Sequence, residues 1–236
     1  MHDDVMPLTE DSVLFGSYLC AKVNRGNVRI LDVGTGSGIL SLIAAQHNSS
    51  AFITGIDNTV QAVAAASTNF RNSAFTNRLE CVYGDFFEYF IHNHAVDIIM
   101  CNPPYYVNGY LPESVYSANQ KHASNFPFDR FFEKSYELST GSGKLSIIVP
   151  ERIFVGIVKS ATKHAWHLSH LALIQRRRKI GRNRVLAIWD KVRIGETPTK
   201  QIFRANGRGI FEGISSEMQQ IIDGLYVNPT SFQDKE

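Results

Sequence analysis

Leu31-Asp32-Val33-Gly34-Thr35-Gly36-Ser37-Gly38 starts as an apolar run and ends as a turn with glycine at every second position. Val28–Val33 before it reads as a buried strand, and Gly38–His47 after it as a helix. Glycines at a strand-to-helix junction allow positive φ and let a ligand approach the backbone closely. The spacing is G-x-G-x-G preceded by an acid, not the dinucleotide G-x-G-x-x-G. Asp32 is therefore a candidate for holding an ammonium group. The next strand, Ala51–Asp57, ends in an acid about 20 residues further on, where a carboxylate accepts from ribose hydroxyls. A glycine-rich turn without a ligand is the alternative, and Asp57 argues against it.

The same alternation continues along the chain. Leu8–Asn24 is an opening helix, with Val13, Leu14, Tyr18 and Leu19 on one stripe. Thr59–Asn72 is predicted as a helix, Leu79–Tyr83 as a strand, Phe86–Ile91 as a short helix and Val96–Cys101 as a strand. Pro127 opens a helix to Leu138, followed by strand Lys144–Val149 and helix Arg152–His164. Leu168–Gln175 and Arg184–Val192 are strand-like with only a basic turn between them, and Ser215–Leu225 is a final helix. The expectation is an α/β fold whose sheet is mostly parallel, with an antiparallel C-terminal hairpin at its edge.

Composition narrows the class. The 236 residues are 44% hydrophobic and 19% charged, which excludes a disordered or fibrous chain. At this length roughly 70% of the unfolded surface can be buried without a disulfide or metal staple. Ile39–Ala45, the longest apolar stretch, is too short to span a bilayer. The acidic start Met1-His-Asp-Asp-Val has no apolar run behind it, so no signal peptide is expected. Cys20, Cys81 and Cys101 show no paired spacing, which fits a reduced, cytoplasmic setting. Net charge is only +2, but residues 144–208 hold 15 Lys and Arg against three acids, a formal +12, and the remainder a formal −10. That asymmetry suggests a polyanion partner for the basic part.

Two further strand ends carry chemistry. Gly84-Asp85-Phe86-Phe87 places Asp85 to accept from an adenine amino group and Phe86 to pack on its ring; alone, a helix N-cap is the commoner explanation of the aspartate, but with the other two strand ends it forms a series. Cys101-Asn102-Pro103-Pro104-Tyr105 ends the fourth strand. Consecutive prolines stiffen the loop, offering the Asn102 side-chain oxygen and the Pro103 carbonyl as fixed acceptors beside the Tyr105 ring. Two acceptors suit an amino group on a flat ring, such as N6 of adenine. Accepting its hydrogens favours a pyramidal nitrogen with its lone pair aimed outward, and Tyr105 would stack the extruded base.

With these residues in place the chain resembles the class I S-adenosylmethionine-dependent methyltransferases, in particular the amino-methylating group with an Asn-Pro-Pro-Tyr loop and, more narrowly, the bacterial tRNA1(Val) adenine-N6-methyltransferase family. Asp11–Gly16, Leu31–Leu40, Asp97–Tyr106, Val149-Pro150-Glu151, Arg184–Ala187 and the Ser216–Tyr226 region carry the likeness. It implies a Rossmann-like sheet, S-adenosylmethionine as cofactor and tRNA as partner. The resemblance assigns the cofactor to Asp11, Asp32, Gly34, Gly36, Gly38, Asp57, Asn58, Asp85, Phe86 and Asn102. Asn102, Pro103, Pro104 and Tyr105 would hold the target base next to the anticodon. Where the family usually has a longer start and a threonine, this chain has ten residues before Asp11, with Glu10 as its neighbour.

On that reading 1–236 is one methyltransferase domain: helix 8–24, a cofactor half at 28–101, a target-base loop at 102–126, the basic part at 144–208 and helix 215–225. Arg176, Arg177, Arg178, Lys179, Arg182 and Arg184 are the candidate RNA contacts; the alternative is a charged edge that prevents strand-to-strand association. His164, His167 and His170 have no Cys or carboxylate beside them in sequence to complete a metal site, so none is expected. Tyr116, Lys121 and His122 lie in a long loop that suits a substrate lid or disorder equally. Neither a membrane nor a protein partner is implied. The alternatives are a ribosomal RNA guanine-N2 methyltransferase, a protein-glutamine methyltransferase and a non-catalytic RNA-binding module.

Overall fold

Strands buried on both faces need continuous apolar runs, and those runs form the middle of the sheet. The computed structural model describes residues 9–23, 26–89, 95–104, 126–176, 183–193 and 198–205. Within them β1 (Arg29–Val33), β2 (Phe52–Asp57), β3 (Leu79–Tyr83), β4 (Val96–Cys101), β5 (Ser139–Pro150), β6 (His167–Arg176), β7 (Arg184–Asp190) and β8 (Thr199–Ala205) make one sheet in the order β3-β2-β1-β4-β5-β7-β6-β8. β1 to β5 pair in parallel, whereas β7 runs antiparallel to both β5 and β6. The helices are α1 (Glu10–Lys22), α2 (Ile39–His47), α3 (Val60–Arg71), α4 (Phe128–Leu138) and α5 (Phe154–Lys163).

Side chains alternate across each strand, so one run feeds two cores. Ile98 and Met100 of β4 join Leu14, Phe15 and Tyr18 of α1, Leu40 of α2 and Phe70 of α3 on one face. Ile99 and Cys101 join Phe131 and Phe132 of α4, Ile157 of α5, Trp166 and Trp189 on the other.

Three sequence expectations change. The sheet continues one strand beyond the expected hairpin: β8 pairs in parallel with β6, which is therefore not the edge. The seven-residue run is short, with Ile202 exposed and Phe203 buried edge-on against Tyr18. β5 starts at Ser139 instead of Lys144, because its Ser-Thr-Gly-Ser-Gly start looks like a loop in sequence yet pairs with Val96 across a register shift. Of the helix expected over Phe86–Ile91, the described part is a single 3-10 turn, Phe86–Glu88, and residues 90 and 91 lie outside the described residues. The expected helix Ser215–Leu225 lies outside the described residues.

Candidate active site at the strand ends

β1 continues into its turn by donating Gly34 N and Thr35 N to the same Ile56 carbonyl, at 2.9 and 3.1 Å. Gly34, Gly36 and Gly38 then take φ of 68°, 56° and 82°, backbone that side chains with a Cβ rarely adopt. Their roles differ. A Cβ on Gly34 or Gly36 would meet nothing within 4 Å, so the turn presents bare backbone there. One on Gly38 would sit 2.4 Å from the Phe70 ring, so Gly38 serves the packing of α2 against α3. Gly55, which the sequence reading passed over, does the same for Thr35, whose hydroxyl would lie 2.8 Å from a Cβ at that position.

Beneath this turn Asp32 is fully buried. Its Oδ2 accepts from Thr35 Oγ at 2.7 Å and Ser41 Oγ at 2.8 Å. Its Oδ1 is buried with no partner among the described residues. Burial pushes its pKa up to about 6, against the pull of both hydroxyls. Ser41 could have been flagged in the sequence as the lone polar residue inside Ile39–Ala45. Asp57 braces the turn from the next strand: Oδ2 accepts from Gly36 N at 3.0 Å, and Oδ1 accepts from Thr59 N and Thr59 Oγ at 3.0 and 2.9 Å. Asn58 is exposed beside it.

Asp85 is exposed and caps its own turn, Oδ1 accepting from Phe87 N at 2.9 Å. Phe86, expected on a ligand ring, is turned into the core, 5.4 Å from the centroid of Phe131 and 5.5 Å from that of Phe87. Desolvation, with Asp57 and Asp32 adding to it, raises the Cys81 thiol to about 11; burial and the same acids raise Cys101 well above its ordinary value. Both stay protonated at neutral pH, so neither is a thiolate nucleophile.

Asn102 follows β4 directly, with Pro103 buried and Pro104 exposed. Register aligns Val33 with both Ile56 and Cys101, so Gly34, Asp57 and Asn102 leave the sheet in one row. Asp57 and Asn102 lie two strand spacings apart, about 10 Å. The Asn102 Nδ2 donates to Ser12 Oγ of α1 at 3.3 Å. Asp11, expected at the cofactor, and Arg184, expected on RNA, are brought to each other: Arg184 Nε donates to Asp11 Oδ2 at 2.7 Å. Tyr105, Arg177, Arg178, Lys179 and Arg182 lie outside the described residues, and Arg176 is described in its backbone alone. His164 meets Asp129 at 3.2 Å, a contact the sequence spacing did not suggest.

S-adenosylmethionine, the cofactor implied by the resemblance, fits this set. It has a cationic amino-acid end, a ribose and an adenine. The strand ends offer an unpartnered buried carboxylate oxygen on Asp32, bare backbone at Gly34 and Gly36, a braced acceptor on Asp57 and an exposed one on Asp85. The N-terminus of α2 has no side-chain cap and no acid in its first turn, which suits a carboxylate.

The family model described as methyltransferase small domain matches residues 11–153, which hold every one of these strand ends. A tRNA1(Val) (adenine(37)-N6)-methyltransferase from Vibrio campbellii is 30% identical over 223 residues, 94% of this chain and 89% of that protein. Among solved structures, one titled a "predicted O-methyltransferase" from Agrobacterium tumefaciens covers 91% of this chain and 96% of its own, with TM-score 0.65 at 16% identity. A SAM-dependent methyltransferase from Aquifex aeolicus covers 78% and 94%, with TM-score 0.56 at 15% identity. These two likenesses concern the fold. The chain belongs to the methyltransferase small-domain family and, within it, to the family of the tRNA1(Val) (adenine(37)-N6)-methyltransferases. Among the described residues no helix is long and apolar enough to cross a membrane.

Proposed function

We propose that the protein is a cytoplasmic tRNA methyltransferase that uses S-adenosylmethionine to methylate N6 of an adenine next to the anticodon, adenine 37 of tRNA1(Val). The observation that carries this reading is Asn102-Pro103-Pro104 at the end of β4, in one row with the glycine turn and Asp57. The family, and the relative's name, support the substrate. When bound, the cofactor supplies an electrophilic methyl carbon, so that an N–C bond forms as its C–S bond breaks.

The chain's own residues bind and orient. Asp57 accepts from the ribose hydroxyls and Asp85 from the cofactor adenine, while the backbone at Gly34 and Gly36 lets the ligand lie close. Asp32 answers the ammonium group. Asn102 Oδ1 and the Pro103 carbonyl accept the two N6 hydrogens of the target base, and Tyr105 stacks its ring. Positioning of this kind replaces a bimolecular encounter with a held geometry, and no strong general base is required, because the N6 proton becomes acidic only after methylation and leaves to water. The basic segment at 176–182 holds tRNA phosphates.

The test is single-turnover methylation of unmodified tRNA with labelled S-adenosylmethionine, followed by nucleoside analysis. N6-methyladenosine is expected, with Asn102→Ala losing most turnover while cofactor affinity stays within a few-fold, since an interaction made mainly in the transition state lowers rate and not ground-state binding. N2-methylguanosine, or label on protein glutamine, would overturn the reading.

A further inference from the structure

We propose that Asn69, on the last turn of α3, is a positioning residue for the cofactor site: its side-chain amide locks the peptide group between Ser37 and Gly38, and so holds the glycine turn in the form that receives S-adenosylmethionine. The proposal rests on the assignment of that turn to the cofactor. Asn69 lies 32 residues beyond Ser37 in sequence, and its Nδ2 donates to the Ser37 carbonyl oxygen at 2.8 Å. A carbonyl oxygen only accepts, so the NH2 end of the amide is the one that bonds there.

Glycine at every second position gives this turn more backbone freedom than residues with a Cβ would, so its shape has to be set by partners. The start of the turn is tied to β1 and β2. Ile56 O accepts from Gly34 N and Thr35 N, Asp57 Oδ2 from Gly36 N, and Asp32 Oδ2 from Thr35 Oγ. The end is held differently. Gly38 N donates to Thr35 O at 2.9 Å, while Asn69 engages the Ser37 carbonyl. Those two bonds take opposite sides of one peptide group, so rotating its plane breaks both. Gly38, with φ of 82°, tolerates either sign of φ and would otherwise permit that rotation.

The support is stiff. Phe70, next to Asn69, is buried in the core and packs where a Cβ on Gly38 would lie. Gly38 is also the N-cap of α2, so the plane of this peptide fixes the entry to that helix. A turn that spends time in other shapes binds with an affinity lowered by the fraction in the competent one.

The experiment compares the wild-type protein with Asn69→Ala and Asn69→Asp, the second nearly the same shape without the donor. Readouts are S-adenosylmethionine and S-adenosylhomocysteine affinity by calorimetry, the urea unfolding midpoint, and hydrogen exchange at the Gly38 amide by NMR. Both variants should bind about three- to tenfold more weakly, the worth of one hydrogen bond. The loss should be equal for the two ligands, because the turn and not the sulfonium is disturbed. Gly38 exchange in the unliganded protein should speed by a similar factor. The unfolding midpoint of Asn69→Ala should change little, because alanine is the better helix former at this exposed position and offsets the lost bond. Wild-type affinity in Asn69→Asp overturns the proposal, as does unchanged Gly38 exchange or an affinity loss matched by a fall in the unfolding midpoint. Failure of the wild-type protein to bind either ligand would instead overturn the cofactor assignment on which the proposal rests.

Discussion

Arg184 Nε donates to Asp11 Oδ2 across 2.7 Å, joining the first residue of β7 to the first turn of α1 over 173 positions of sequence. Both side chains are largely withdrawn from water, at 17% and 15% exposure. Residues that sequence reasoning had assigned to different ligands thus form one structural tie beside the candidate site.

Loss of that tie should register in stability before it registers in RNA binding. Arg184→Ala leaves a sheltered carboxylate without its guanidinium, which should cost about 1–3 kcal/mol, read from urea unfolding midpoints. Replacing Arg176, Arg177 and Arg178 with Ala should instead leave stability nearly unchanged. It should reduce the salt slope of tRNA binding by up to about 2–3. An Arg184→Ala variant with wild-type stability would show that the pair contributes nothing to the fold.

Asp57→Ala removes the acceptor for Gly36 N and for both Thr59 donors, besides any ribose contact. Cofactor affinity should fall by about 1.5–3 kcal/mol. Asp57→Asn, which keeps one acceptor oxygen, should fall between Ala and wild type. Calorimetry on folded variants checks both.

Asp32 gives stability a pH signature of definite sign. Burial raises its pKa from 3.8 to about 6, so the folded chain holds this proton where the unfolded chain has lost it. The group's contribution is greatest below about pH 4 and declines as pH rises through 6, by up to about 3 kcal/mol. Subtracting the Asp32→Asn stability profile from the wild-type profile, by urea unfolding at pH 4–8, should reveal that decline. Cofactor binding to the carboxylate form should release a proton near pH 6, so affinity weakens on acidification in wild type but not in Asp32→Asn.

Gly38→Ala meets two penalties, a positive φ of 82° and a Cβ 2.4 Å from the Phe70 ring. Strain and overpacking together should cost about 2–4 kcal/mol. Gly36→Ala carries only the φ penalty, because nothing lies within 4 Å of its Cβ, and should cost about 1–2 kcal/mol. Thermal unfolding of the two variants distinguishes packing from conformational freedom within one turn.

Much was legible in local sequence because its causes are local. The run through Leu31 to Gly38 reads as the end of a buried strand and a tight turn from residue type alone, and Asp57, Asp85 and Asn102 announce themselves at the ends of short runs that read as strands. Parallel strands bring such ends to one side of a sheet, so the row of candidate ligand groups follows from the alternation itself.

What tertiary structure decided involves partners far apart in sequence or side chains whose direction depends on packing. Local sequence cannot say that Gly38 makes room for Phe70 while Gly36 leaves backbone bare, because that depends on where α3 lies. Phe86 and Phe87 are alike in type, and only the position of Phe131 determines which one turns inward. β8 is too short and polar to declare itself until β6 offers an edge for its hydrogen bonds. Asp11 with Arg184, and Ser12 with Asn102, meet because α1 packs across the sheet onto β5 and β7, a choice made by the burial of Leu14, Phe15 and Tyr18. Hydrophobic burial is non-directional and carries no record of sequence distance; the hydrogen bonds and ion pair it brings within reach are directional, and they exist only once the fold has formed.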